Sequence, residues 1–146
     1  MIILHRSRFR VYYEDTDAFG IVYYANYLRY FERARTDWLR CLGVEQRQLM
    51  ASDRVAFVVR DCTMQYQLPA RLDDELDVTV AVAAVERDFG RASMRFAQRA
   101  IRRSDHAGLV SGTVRIACVS SATGRPAPIP AWLNDRMRGL PTPCDS

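Results

Sequence analysis

Residues 11–27 read VYYEDTDAFGIVYYANY, and they join an aromatic segment, an acidic turn and the start of a long helix. The turn closes on Gly20, and helical periodicity then runs over residues 24–42. The N-terminus of a helix carries about half a unit of positive charge and several unpaired N–H donors. A carboxylate beside N–H donors that can stabilise an oxyanion is an arrangement typical of hydrolytic chemistry. The turn offers three candidate carboxylates: Glu14, Asp15 and Asp17.

The predicted helix has an apolar stripe and a charged face, as expected for a helix that packs on one side. The apolar residues recur at three- and four-residue steps: Tyr27, Phe31, Ala34, Trp38 and Leu42. The opposite face carries Arg29, Glu32, Arg33, Thr36, Asp37 and Arg40. Gly43 is a natural stop for the helix. The apolar stripe needs a surface to cover it, and the chain offers one as the face of a sheet.

About five segments alternate polar and apolar residues and are predicted to be strands. They are residues 7–13, 55–68, 76–82, 93–99 and 109–119. Short turns between the later strands favour antiparallel pairing, and the order of strand, long helix and further strands indicates an α+β fold. Residues 44–53 are expected to be a helical or irregular link, and a short helix is predicted over residues 132–138. The tail, about residues 139–146, is predicted to be flexible.

The composition is that of a single globular domain. With 146 residues, 49% of them hydrophobic, the chain is long enough to bury about two-thirds of its unfolded surface. The net charge is +4, and all 21 basic residues are Arg. This balance suits a phosphorylated ligand, whereas the lack of a dense basic tract argues against nucleic acid.

The chain has four cysteines, and their spacing gives neither a CxxC pair nor a metal-binding pattern. They are Cys41, Cys62, Cys118 and Cys144. The first apolar run is too short for a secretory signal, so we expect free thiols in a reducing cytoplasm. No apolar run approaches the roughly 18 residues that span a membrane. Neither His5 nor His106 has acidic or cysteine partners at ligand spacing, and no metal site is predicted.

Several motifs of the chain occur together in one known family. They are Tyr12–Asp17, Gly20–Tyr24, Asn26–Tyr27, Phe31–Thr36, Phe57–Arg60 and Pro69–Asp74. This combination resembles the 4-hydroxybenzoyl-CoA thioesterase family, and within it the acyl-CoA thioesterases associated with the Tol–Pal gene cluster. The resemblance covers about residues 7–120. It implies the hotdog fold, a curved antiparallel sheet of about five strands wrapped around one long helix. It also implies hydrolysis of acyl-CoA or acyl carrier protein thioesters, with CoA as part of the substrate and no separate cofactor.

The resemblance assigns roles to residues of the acidic turn and the helix start. Asp17 matches the carboxylate that attacks the thioester or activates water for it. The backbone N–H of Tyr24 matches the donor that polarises the thioester carbonyl, although the Tol–Pal relatives carry His here. A backbone role survives that change, whereas a side-chain role of His does not transfer. Tyr13 matches a site Tyr of the relatives, with structural packing as an equal alternative. Glu14 and Asp15 are expected to be solvated, hydrogen-bonded or ion-paired.

Other predicted substrate contacts lie around these residues. Gly20 closes the acidic turn, and Asn26 is expected to cap the helix or orient a water. In the family, the turn that here holds Arg87 and Arg91 contributes to binding of the CoA phosphates. The planar fork of Arg suits a phosphate, and a solvated turn is the competing interpretation for each side chain.

Assembly is predicted from the exposed edge that a sheet of this size leaves uncovered. The family implies dimers with two sites at the interface, often paired again into tetramers. We therefore expect a homodimer or homotetramer in which Asp17 of one subunit faces residues 58–61 of the other. This arrangement makes Val59 a predicted substrate contact.

Two other functions are compatible with the same fold. A hydratase or dehydratase uses His with a carboxylate, and no His lies near the acidic turn in the sequence. The second is a non-catalytic module that binds acyl-CoA or acyl carrier protein for a cell-envelope complex, but such a binder has no need of Asp17 at the thioester. The envelope association of the relatives keeps a peripheral place at the inner membrane open. Aromatic, short aliphatic and long aliphatic acyl groups all fit the sequence.

Overall fold

The computed structural model describes residues 1–83 and 92–139 and the backbone of residues 144 and 145. Its helices are α1 (Asn26–Cys41), α2 (Gln46–Ser52) and α3 (Ala131–Gly139). Its strands are β1 (Ile2–Arg10), β2 (Val55–Tyr66), β3 (Glu75–Val82), β4 (Ser93–Arg102), β5 (Gly108–Ser120) and β6 (Cys144–Asp145). A single 3₁₀ turn, Tyr13–Asp15, lies between β1 and α1. Among these residues, no helix combines the length and apolar character needed to cross a membrane.

The strands form one sheet in the order β2-β5-β4-β3-β1-β6. Strands β1 to β5 pair with their neighbours in antiparallel fashion, and β6 runs parallel to β1. The alternation predicted for β3 is visible in its buried face, which consists of Leu76, Val78, Val80 and Val82. The predicted α+β fold, an antiparallel sheet with one long helix, is confirmed.

Helix α1 packs on one face of this sheet through the predicted stripe. All of its members are buried: Tyr27, Phe31, Ala34, Trp38 and Leu42. Burial of each large apolar side chain contributes about 1.5–3 kcal/mol. Strand β5 approaches the helix closely at Gly112, where a Cβ would stand 2.7 Å from Met64 Sδ and 3.2 Å from the Phe31 ring. The glycine therefore leaves the room that lets Phe31 reach the sheet.

Two local predictions need correction. Strand β1 covers residues 2–10 instead of 7–13, because the chain already turns at Tyr13. Residues 144 and 145 lie beside His5 and Arg6 of β1, and the flexibility of the tail stays a prediction. The expectation of free thiols holds for Cys62 and Cys118 but is wrong for Cys41, which forms a disulfide. Spacing along the chain does not reveal which thiols meet after folding.

Candidate active site

Asp15 connects the acidic turn to the start of α1 through hydrogen bonds. Its Oδ2 accepts a hydrogen bond from the Tyr12 N–H at 2.8 Å, and its Oδ1 accepts one from Asn26 Nδ2 at 3.0 Å. Its backbone carbonyl accepts a third, from the Tyr23 N–H at 2.9 Å. Because the residue is buried, these bonds replace its lost hydration. Burial raises the pKa of the neighbouring Tyr30, and the Asp15 carboxylate raises it further. Asp15 thus has the hydrogen-bonding role that was expected.

Asp17 is held by its own turn and stays accessible. Its Oδ1 accepts a hydrogen bond from the Phe19 N–H at 2.9 Å, and its backbone N–H donates to the Ile21 carbonyl at 2.8 Å. Gly20 closes the turn at a φ of +74°, a conformation that side chains disfavour. The residue is half-buried, and in the described part of the chain no group hydrogen-bonds to its Oδ2. One carboxylate oxygen is therefore fixed and the other is open.

The start of α1 provides unpaired donors close to this turn in the chain. No hydrogen bond from the N–H of Tyr24 or Ala25 reaches any of the described residues. Ala25 precedes the helix without a side-chain cap, so the positive end of the helix stays open. Thr16 and Val22, on either side of the turn, form an antiparallel bridge. Because of this bridge the chain reverses direction after Asp17 and runs back towards the start of the helix.

An apolar cleft of about 280 Å³ lies beside these donors. It is lined by Ile21, Val22, Tyr24, Tyr27, Tyr66, Gln67, Leu68 and Pro69. The Tyr66 hydroxyl, at the end of β2, donates to the Tyr24 carbonyl at 3.1 Å. The Tyr66 ring also lies 6.2 Å from that of Tyr24 and 5.9 Å from that of Tyr27. Burial raises the pKa of Tyr27 and of Tyr66.

A carboxylate with one open oxygen, free amide donors and an apolar cleft thus share one end of the helix. The carboxylate can act as a base or as a nucleophile. The amide N–H groups can stabilise an oxyanion that develops on a carbonyl group. Among the described residues there is no cluster of three or more side chains able to hold a metal ion.

Comparison with known proteins decides between the possible classes. The model of the thioesterase-like superfamily matches residues 11–137. This chain belongs to the thioesterase-like superfamily. It is 43% identical over 121 residues to the acyl-CoA thioesterase YbgC of Haemophilus influenzae, covering 83% of this chain and 85% of that protein. It is 42% identical over 127 residues to the acyl-CoA thioester hydrolase YbgC of Escherichia coli O157:H7, covering 87% and 90%.

A solved structure supports the fold independently of close sequence similarity. The 1,4-dihydroxy-2-naphthoyl-CoA thioesterase of Synechocystis superposes with a TM-score of 0.84 at 18% identity, covering 95% of this chain and 98% of that one. At that identity the likeness concerns the fold alone. The predicted family, the predicted hotdog fold and the prediction of a thioester hydrolase are all confirmed.

The predicted site residues of this thioesterase-family chain do not all lie where the sequence analysis expected them. Tyr13 is 83% exposed, so a packing role is not supported for its ring. Asn26 does not cap the helix: it is the first residue of α1, and its amide donates to the buried Asp15 instead. Val59 lies on β2, far along the chain from the acidic turn. It lines a different cleft from the one beside Tyr24. The predicted phosphate-binding residues Arg87 and Arg91 lie outside the described residues.

Tyr66 is a site residue that sequence reasoning missed. The alternation in β2 assigned it to one face of a strand, but its hydroxyl meets a carbonyl 42 residues earlier in the chain. Periodicity reports the face of a strand and carries no information on what that face meets. The sequence around Tyr66 carries no local signal that identifies this partner.

Proposed function

We propose that this member of the superfamily hydrolyses acyl-CoA thioesters, with Asp17 as base or nucleophile. The proposal is carried by the open Oδ2 of Asp17. This residue lies in a turn closed by the Thr16–Val22 bridge, and the chain continues from that bridge to the unpaired N–H groups of Tyr24 and Ala25. The names of the relatives with 42–43% identity agree with this substrate class. Acyl carrier protein thioesters and a role at the cell envelope stay predictions.

The reaction follows from these groups. The thioester carbonyl accepts hydrogen bonds from the N–H groups at the start of α1, which stabilise the oxyanion that develops when the carbonyl carbon is attacked. Asp17 removes a proton from water as the water oxygen forms a bond to the carbonyl carbon. The C–S bond then breaks, and the CoA sulfur takes up a proton to leave as the thiol. In the nucleophilic variant, the Asp17 carboxylate attacks the carbonyl carbon and the C–S bond breaks, so that the CoA sulfur leaves and takes up a proton from water. A second water then hydrolyses the mixed anhydride to the free acid and the Asp17 carboxylate.

The site is proposed to be completed by a second copy of the chain. Strand β2 lies at one edge of the sheet, and its Val58 and Val59 are 45% and 53% exposed. Long apolar edges invite pairing with another strand. A homodimer formed by pairing β2 with its copy extends the sheet. In this arrangement residues 58–61 of each subunit form a wall of the partner's Asp17 site.

The test is a panel of straight-chain and aromatic acyl-CoA substrates with a thiol-detecting dye. Release of one thiol per acyl group, at rates above those of the Asp17→Asn variant, supports hydrolysis. A protein that binds acyl-CoA tightly by calorimetry but releases no thiol from any substrate is a binding module, and the proposal is then wrong.

A further inference from the structure

A second cleft, of about 120 Å³, lies between α1 and the sheet. Its apolar lining consists of Trp38, Leu39, Phe57, Val59, Met94 and Ile116. One cation, Arg35, also lines it, with Glu32 and Thr36 of α1 and Gln46 of α2. A half-buried guanidinium in an otherwise largely apolar cleft calls for a partner.

A chain of two hydrogen bonds holds this guanidinium in place. Arg35 Nη1 donates to Gln98 Oε1 at 2.8 Å, and Gln98 Nε2 donates to the Phe31 carbonyl at 3.0 Å. Gln98 is 1% exposed, so its side chain is fixed on both sides. Within the described residues, the bond to Gln98 is the one hydrogen bond of the guanidinium, and no carboxylate lies within ion-pair distance. The remaining donors are oriented but unused.

The charge balance at Arg35 favours a bound anion. Burial lowers the pKa of Arg35, and the negative charge of Glu32 opposes that shift only in part. Glu32 is exposed, and its Oε1 accepts a hydrogen bond from Thr36 at 2.7 Å. An Arg fork binds a carboxylate through two parallel hydrogen bonds, which is the strongest pairing available to it.

We propose that Arg35 binds a carboxylate at the far end of the acyl group, so that the enzyme prefers acid-ended acyl-CoA substrates. The proposal rests on the proposed function, because the thioester must lie at Asp17. Val59 provides the connection. It lines the Arg35 cleft of its own subunit and, in the proposed dimer, faces the Asp17 of the partner subunit. An acyl group attacked at the partner's Asp17 passes Val59 and enters the cleft with its free end towards Arg35.

The test compares pairs of substrates that differ by a terminal carboxylate: hexanoyl- and adipoyl-CoA, octanoyl- and suberoyl-CoA, decanoyl- and sebacoyl-CoA. The wild type should have a higher kcat/KM for the acid-ended member of at least one pair. Arg35→Gln should lower that kcat/KM by at least about tenfold, because a charge-assisted bidentate bond is lost. The neutral member should change by less than about twofold. Arg35→Lys should fall between them, since Lys keeps the charge without the fork.

Glu32→Gln is the matched control, because it removes a charge of opposite sign from the rim of the same cleft. It should raise the ratio of kcat/KM for the acid-ended substrate to kcat/KM for the neutral one, because a negative charge near the bound carboxylate is removed. Equal losses on both members of a pair for Arg35→Gln would mean a structural role and overturn the proposal. If that variant does not fold, the wild type decides: the proposal is overturned if the acid-ended member has the higher kcat/KM in none of the three pairs. Failure to hydrolyse any of the substrates would instead refute the proposed function.

Discussion

Asp15 and Asp17 are two residues apart, yet their surroundings differ. Asp15 is buried with both oxygens occupied, whereas Asp17 keeps one open oxygen. Asp17→Asn should therefore lower thioester turnover by at least about a hundredfold, the usual scale for loss of an acid–base group. The melting temperature should hardly change, because an amide oxygen still accepts the Phe19 N–H. Thiol release and thermal melts check both statements, and turnover equal to the wild type would remove Asp17 from the mechanism.

Tyr24 occupies the position where the resembled relatives carry His. Its side chain is 62% exposed, and its backbone N–H is the group assigned to the carbonyl. Tyr24→Phe keeps that N–H, so kcat/KM should fall by no more than about threefold, far less than loss of an acid–base group. Tyr66→Phe is the companion variant, because it removes the hydrogen bond to the Tyr24 carbonyl. A loss for Tyr24→Phe as severe as for Asp17→Asn would show that the hydroxyl has the chemical role.

At the scale of elements, Asp15 joins the acidic turn to α1, and its replacement should act on stability. An amide has one oxygen, so in Asp15→Asn either the Tyr12 N–H or Asn26 Nδ2 faces another donor. Loss of a hydrogen bond to a buried charged group costs about 1.5–3 kcal/mol. That cost corresponds to a fall of roughly 3–12 °C in the melting temperature for a chain of this size. Calorimetry measures it, and an unchanged melting temperature would refute this connecting role.

The helices and strands show how much of the fold could be predicted from the sequence. Helix α1 was predictable because its stripe is a local repeat, and strands β3 and β4 alternate in the same local way. Arg35 could not be predicted as a buried residue in this way. It lies at the edge of the apolar stripe of α1, and hydrophobic periodicity does not tell whether a cation beside the stripe is buried. Its partner Gln98 is 63 residues away. The helix start was predictable as a donor from general helix geometry, whereas the Tyr66 contact and the Cys41 disulfide depend on how distant segments meet.

At the scale of the whole molecule, the edge position of β2 bears on both proposals. The strand carries Val59, which lines the Arg35 cleft and stands in the proposed wall of the partner's site. A single subunit leaves this edge strand partly open to solvent, since Val58, Val59 and Tyr66 are all about half exposed. Pairing of two β2 strands would cover that edge and give each Asp17 a more enclosed site.

A mixed dimer tests whether the sites are shared. One subunit carries Asp17→Asn and the other carries Val59→Trp, which fills the proposed wall. Shared sites leave one working site in each mixed dimer, namely Asp17 of the Val59→Trp subunit facing the intact wall of the Asp17→Asn subunit. The two variants are each nearly inactive alone, so activity should appear on mixing. Each mixed dimer should have about half the activity of a wild-type dimer, so a random equal mixture, about half of it mixed dimers, should reach about a quarter. Light scattering at micromolar concentration verifies that both variants still form dimers. Sites built within one subunit restore no activity on mixing, and a fully active monomer would refute the assembly together with the shared site.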